Sequence, residues 1–124
     1  MSEQPLSGIT IVDFSTLLPG PLASLMLAEA GATVIKIERP GGEDMRFFPP
    51  RVGAASALYA MLNRGKTCVE ADLKKPADRD KVLALVDRAD VVIEQFRPGV
   101  MQRVGLGSDV LMARNPRLVH CSIT

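Results

Sequence analysis

The chain has no tryptophan, one tyrosine and four phenylalanines. So few rings argue against stacking platforms for bases and leave the core to aliphatic side chains. Charge of one sign is also missing. Fifteen Lys and Arg against 14 Asp and Glu give a net charge of +1. That balance supplies no electrostatic footprint for nucleic acid or an anionic membrane. Cysteine is scarce. Cys68 and Cys121 have no CxxC spacing and no paired histidine, too little for a zinc site. They read as small buried hydrophobes in strands, and no metal is expected. The lone histidine, His120, alternates with apolar neighbours and reads as a packed or surface residue rather than a ligand or base. The apolar stretch Leu22 to Ala28 is far too short to span a bilayer. The first eight residues lack the basic and apolar regions of a signal peptide, so the expected location is the cytoplasm.

What is present is a composition of 47% hydrophobic and 23% charged residues in 124 positions, enough for one domain with a real core. Its centre is Gly31-Ala32-Thr33-Val34-Ile35-Lys36-Ile37-Glu38-Arg39-Pro40-Gly41-Gly42. This reads as a helix stop, a β-branched strand, a charged pair at the strand's carboxyl end and a tight turn. In open α/β sheets, ligands bind outside the carboxyl ends of the strands. An acid such as Glu38 suits a ribose hydroxyl there, and an arginine such as Arg39 suits a phosphate.

In chain order, Ile9 to Phe14 is a first strand, nearly continuous in apolar character as in a sheet covered on both faces. Pro19-Gly20-Pro21 makes a rigid turn, with Pro21 suited to the first helical position. Leu22 to Ala30 is apolar almost all round and is expected to be a buried helix stopped by Gly31. The fingerprint GxGxxG is absent, because Gly20 is the turn's only glycine. An ordinary NAD or FAD site is therefore not expected, and the weight moves from Glu38 to Arg39.

Glu43 to Ala55 reads as a long surface loop. Ser56 caps a short helix to Leu62. Asn63-Arg64-Gly65-Lys66 then places two cations and an amide before the strand Thr67 to Asp72. Pro76 opens an amphipathic helix to about Ala89, with Val82, Leu85, Val86 and Ala89 at i, i+3, i+4 and i+7. Val91 to Glu94 is a fourth strand. Val100 to Val104 is about one helical turn, Ser108 caps another short helix, and Leu118 to Ile123 is a fifth strand. The alternation of strands and helices with right-handed crossovers implies an α/β fold with a parallel sheet. The chain stops where a strand should lead into a binding loop, which suggests an N-terminal fragment.

Several segments together resemble the family III CoA-transferases, the CaiB/BaiF family, which also contains α-methylacyl-CoA racemases. They are Leu6-Ser7-Gly8-Ile9 through Val12-Asp13-Phe14, Pro19-Gly20-Pro21, Leu27-Ala28-Glu29-Ala30-Gly31-Ala32 and Val34-Ile35-Lys36-Ile37-Glu38-Arg39-Pro40-Gly41 in the first third. Asn63-Arg64-Gly65-Lys66, Asp72-Leu73-Lys74, Asp90 through Gly99, and Asn115-Pro116-Arg117-Leu118-Val119 follow. The resemblance implies a Rossmann-like large domain of which residues 1–124 are the N-terminal part. It also implies a second, smaller domain, an interlocked homodimer, and acyl-CoA and a carboxylic acid as substrates.

By the resemblance, Arg39 meets the nucleotide phosphates of coenzyme A. Leu18 and Pro19 match a first-turn contact, where Leu18 departs from the polar residue of some transferases. Ala71, Asp72, Leu73 and Lys74 match an adenosine-side segment. Gln95, Phe96 and Arg97 match the loop after the fourth strand, and Arg103 a further cation. The aspartate that carries the transferase intermediates, and the racemases' acid–base pair, fall beyond position 124, so no catalytic residue is expected here. Glu38 and Glu94 are expected to cap loop amides or pair with arginine. The primary reading is the CoA-binding segment of a CoA-transferase. The alternatives are a racemase fragment or a stand-alone or inactive CoA-binding module.

Overall fold

The computed structural model describes residues 3–124. Strand β1 (Thr10–Asp13) leads through a turn into helix α1 (Pro19–Glu29) and then β2 (Thr33–Glu38). A 3-10 turn (Asp44–Phe47) and a small hairpin of β3 (Arg51–Val52) and β4 (Ala55–Ser56) precede α2 (Ala57–Asn63). Strand β5 (Thr67–Glu70), α3 (Pro76–Asp87) and β6 (Val91–Glu94) follow. Helices α4 (Val100–Arg103) and α5 (Ser108–Arg114) lead to β7 (Val119–Ser122).

The five long strands form one sheet in the order β5-β2-β1-β6-β7. Every neighbouring pair is parallel. The chain works outward from β1 in one direction, then restarts beside β1 and works outward in the other. The strand order therefore reverses between β1 and β6, which is the topological switch point of a Rossmann-like sheet. All five strands expected from sequence are present.

Strand periodicity divides the core. Val12, Phe14, Ile37 and Val92 point to one face, where they pack with Val82, Val86, Leu106 and Leu111. Ile11, Val34 and Ile93 point to the other and form a smaller cluster with Ala32. The α3 stripe is buried at Val82 and Val86 as expected and half-buried at Leu85; Ala89 is buried just past the helix end, and Leu83 joins the stripe.

Five expectations are corrected. Helix α1 starts at Pro19, with Leu18 as its N-cap. Pro19, not Pro21, occupies the first helical position, where a missing N–H costs nothing. Helix α1 is not fully buried: its outer stripe, Leu18, Leu22 and Met26, is exposed, because α2 covers only one flank. The segment after Gly42 is not a surface loop throughout, since Glu43 and Met45 are buried. Cys68 and Cys121 are both exposed, because β5 and β7 are the two edge strands and the sheet offers no neighbour to cover them. The helix after Gly107 begins at Ser108, with Gly107 rather than Ser108 as the N-cap. Ser56 does cap α2, accepting from the Tyr59 amide at 3.4 Å, and Gly31 stops α1 with a φ of +111°.

Candidate functional site: a cleft at the carboxyl ends of the strands

A cleft of about 300 Å³ opens at the carboxyl ends of β1, β2, β5 and β6. Its floor is apolar, with Phe14, Ile37, Ala71, Leu73 and Phe96. Phe14 and Phe96 face each other across the switch point with ring centroids 6.5 Å apart. Arg39, Asp44, Asp72 and Lys74 bring charge to the same cleft. An apolar floor beneath a few convergent polar groups is the usual build of a small-molecule site.

Of the residues singled out from sequence, Arg39, Ala71, Asp72, Leu73, Lys74 and Phe96 share this cleft. Arg39 is exposed and pairs with Asp44, while its Nε donates to the Gly42 carbonyl at 3.1 Å. Asp72 is held in its turn. Its amide donates to Asp78 at 2.8 Å, and its carboxylate accepts from the Lys74 amide at 3.0 Å. Arg97 borders a second hollow, with Phe96, His120 and Ser122. Leu18, Pro19, Gln95 and Arg103 line neither. Leu18 is 54% exposed at the α1 N-terminus, and Arg103 ends α4 on the surface.

Gln95 works through the first turn. Its Nε2 donates to the Thr16 carbonyl at 2.7 Å, and its Oε1 accepts from the Gly20 amide at 3.0 Å. A Cβ on Gly20 would lie 2.1 Å from the Ser15 Cβ and 2.5 Å from that same Gln95 oxygen. Glycine is needed here for close approach rather than for a pyrophosphate.

Behind the cleft, and lining it at Glu38 and Glu43, lies a set of buried charges. Strand alternation puts Val34, Lys36 and Glu38 on one face of β2, and Ile11 and Asp13 on the same face of β1. That face is apolar at the amino ends and ionic at the carboxyl ends. Asp13 is fully buried and accepts from the Ser15 amide at 2.8 Å and from the hydroxyls of Ser15 and Ser24. Lys66 approaches it at 3.8 Å and donates to the Pro21 carbonyl and the Asn63 side chain, each at 2.9 Å. Burial pushes the Lys66 ammonium down to about 8, with Asp13 opposing the shift.

Glu38 accepts from the Glu43 amide at 2.9 Å, from Arg46 Nε at 2.7 Å and from the Tyr59 hydroxyl at 2.7 Å. Cys68 Sγ also donates to it. Burial alone would raise this carboxyl, but Arg46 and the other donors outweigh it and hold it well below the ordinary range. Burial first, then the neighbouring Glu38, pushes the Tyr59 hydroxyl and the Cys68 thiol up. Glu38 thus pairs with arginine and caps a loop amide, as expected. Glu94 caps the Phe96 amide at 3.0 Å.

Sequence reasoning passed over Lys36, Glu43 and Lys66 as site-forming residues. The signal was the pair of charges at alternate positions 36 and 38 inside a strand flanked by partners on both sides. Among the described residues no group of three or more His, Cys, Asp or Glu side chains is placed to hold a metal. Among them, too, no helix is long and apolar enough to cross a membrane.

Comparison with known proteins places this architecture. The chain is 42% identical over 119 residues to acetyl-CoA:oxalate CoA-transferase of Acetobacter aceti, covering 95% of this chain and 31% of that protein. It is 38% identical over 123 residues to succinyl-CoA:glutarate CoA-transferase of Homo sapiens, covering 98% and 28%. The crystal structure of a CAIB/BAIF family protein from Brucella suis superposes with a TM-score of 0.94 at 39% identity, over 99% of this chain and 34% of that one. The chain therefore spans about a third of the length of the relatives it matches. The model of CoA-transferase family III matches residues 6–124, and the chain belongs to that family.

Proposed function

We propose that residues 1–124 are the N-terminal part of a large Rossmann-like CoA-binding domain, in an enzyme that moves CoA from an acyl-CoA to a carboxylic acid. The observation that carries this reading is the cleft itself: a switch-point crevice with an apolar floor and Arg39 and Lys74 at its charged side. Coenzyme A presents that combination, an adenosine to lie on Leu73 and Phe96 and phosphates to meet cations. Charge-assisted bonds to phosphate contribute about 1.5–3 kcal/mol each. Binding energy from this remote nucleotide would orient the thioester for reaction. Gln95 supports the site by holding the first turn at Thr16 and Gly20, between which Leu18 and Pro19 stand, and Arg97 and Arg103 add cations on the flank.

In this reading the chemistry belongs to an aspartate beyond position 124. Its carboxylate attacks the thioester carbonyl and expels the CoA thiolate, leaving an acyl-aspartyl anhydride. The thiolate then attacks the aspartyl carbonyl, releasing the first acid and forming an aspartyl thioester. The acceptor acid reverses the sequence. The enzyme acts in the cytoplasm as an interlocked homodimer.

The test is CoA exchange by the full-length natural protein, with acetyl-CoA or succinyl-CoA as donor and oxalate or glutarate as acceptor, followed by hydroxylamine trapping. Exchange with a hydroxamate on one aspartate supports the reading. Deuterium wash-in at the alpha carbon without exchange makes the enzyme a racemase and overturns it.

A further inference from the structure

We infer that the buried Lys36–Glu43 ion pair is a positioning device for the cleft, one that sets the conformation of the Ser15–Leu17 turn. The inference rests on the CoA-binding reading above only for what the cleft holds. The clamp itself rests on geometry.

Both side chains are inaccessible, at 0% and 2% exposure, and they pair with each other. Each also reaches one point of the same turn. Lys36 Nζ donates to the Ser15 carbonyl at 3.0 Å. Glu43 Oε1 accepts from the Leu17 amide at 2.9 Å. Thr16 lies between these two points and lines the cleft, and its own carbonyl is taken by Gln95. Leu17 has a φ of +65°, and it is the one residue other than glycine with a positive φ among the described residues. A leucine holds that left-handed conformation only where its surroundings impose it.

The two partners come from the same wall, and both reach across to the turn. Lys36 lies on β2, and Glu43 follows the turn that carries Arg39, closed by the Gly42 amide to the Arg39 carbonyl at 2.9 Å. The Glu43 amide is fixed in turn by Glu38. Through these two backbone contacts the pair ties the wall that presents Arg39 to the turn that presents Thr16. Burying an ion pair is poor value as a source of stability, since apolar replacements of similar volume often serve as well or better. A pair that grips two backbone points beside a cleft has a geometric task instead.

Stability and positioning can be tested separately. In the full-length natural protein, Lys36→Met combined with Glu43→Leu removes both charges and keeps the volume. The expected result is a melting temperature near that of the wild type, Leu17 amide exchange at least tenfold faster, and CoA affinity at least tenfold weaker. A folded double variant that keeps both the Leu17 protection and the wild-type CoA affinity overturns the inference. Should the double variant not fold, Glu43→Gln supplies the second test. Adding Leu17→Gly, which accepts a positive φ freely, is expected to restore at least half of the CoA affinity lost in Glu43→Gln. A folded pair of variants with no restoration contradicts the clamp. Absence of CoA binding by the wild type would refute the cofactor reading alone. The exchange rate of Leu17 then decides the clamp by itself.

Discussion

The two faces of the sheet solve different problems. The face under α3, α4 and α5 is mainly apolar, with Val12, Val82, Val86, Val92, Leu106 and Leu111 essentially inaccessible and Glu94 buried at the carboxyl end of β6. The face under α1 and α2 begins apolar, at Ile11 and Val34, and ends in Asp13, Lys36 and Glu38, all buried. The first face follows the ordinary rule that buried area drives folding. The second buries charge, which is costly unless every charge is paired and hydrogen-bonded. Asp13, Glu38 and Glu43 are matched by Lys36, Arg46 and Lys66, so the cluster is neutral as a whole. Its partners are the backbone of the turns that surround the cleft. The first face also supplies the floor of the cleft, at Phe14 and Ile37, and the second grips the turn at its mouth.

Breaking the ionic face should cost most. Glu38→Ala strands Arg46 and Tyr59 and is expected to destabilise the protein by about 3–5 kcal/mol, measured by urea unfolding. Breaking the apolar face comes next. Leu106→Ala should cost about 2–4 kcal/mol through the cavity it leaves, yet CoA affinity of the folded variant should stay within about twofold, since Leu106 does not itself line the cleft. Arg39→Ala sharpens the contrast. It sits in an exposed pair worth little to stability, so the melting temperature should hold. CoA affinity should fall by about 1.5–3 kcal/mol, read by calorimetry, with pantetheine binding unaffected.

Acid should act through the ionic face. The Glu38 carboxyl is lowered in the folded state from an ordinary value of 4.5. Its contribution is therefore present above about pH 4.5 and is lost progressively as pH falls below it. The Glu38→Gln variant should show a flatter loss of stability below pH 4.5 than the wild type. The smallest effect is local. Ser56→Ala removes a long α2 cap and should cost about 0.5 kcal/mol.

The apolar face was legible in the sequence because its periods are simple: two in the strands and 3.6 in α3. The parallel sheet followed from the same alternation of strands and helices, but its strand order and switch point came from the structure. The residues of the cleft were legible where they follow a strand directly, as Arg39 follows β2 and Ala71 follows β5. Loop geometry was not. Sequence spacing cannot show that Gln95 bonds Thr16 and Gly20, 79 and 75 positions away. Nor can it show that Glu43 turns inward beneath Leu17. The exposure of α1 was missed for a related reason: an all-apolar helix reports that it wants cover, not how much of it the neighbouring elements provide.

The central claim is that the carboxyl-end cleft is where coenzyme A binds. The most direct measurement is hydrogen exchange of the full-length natural protein with and without saturating CoA. The account predicts new protection in residues 71–74 and 95–97 and around Arg39, with α3 and α5 unchanged. Saturable binding that protects some other surface, or no binding at all, would contradict it.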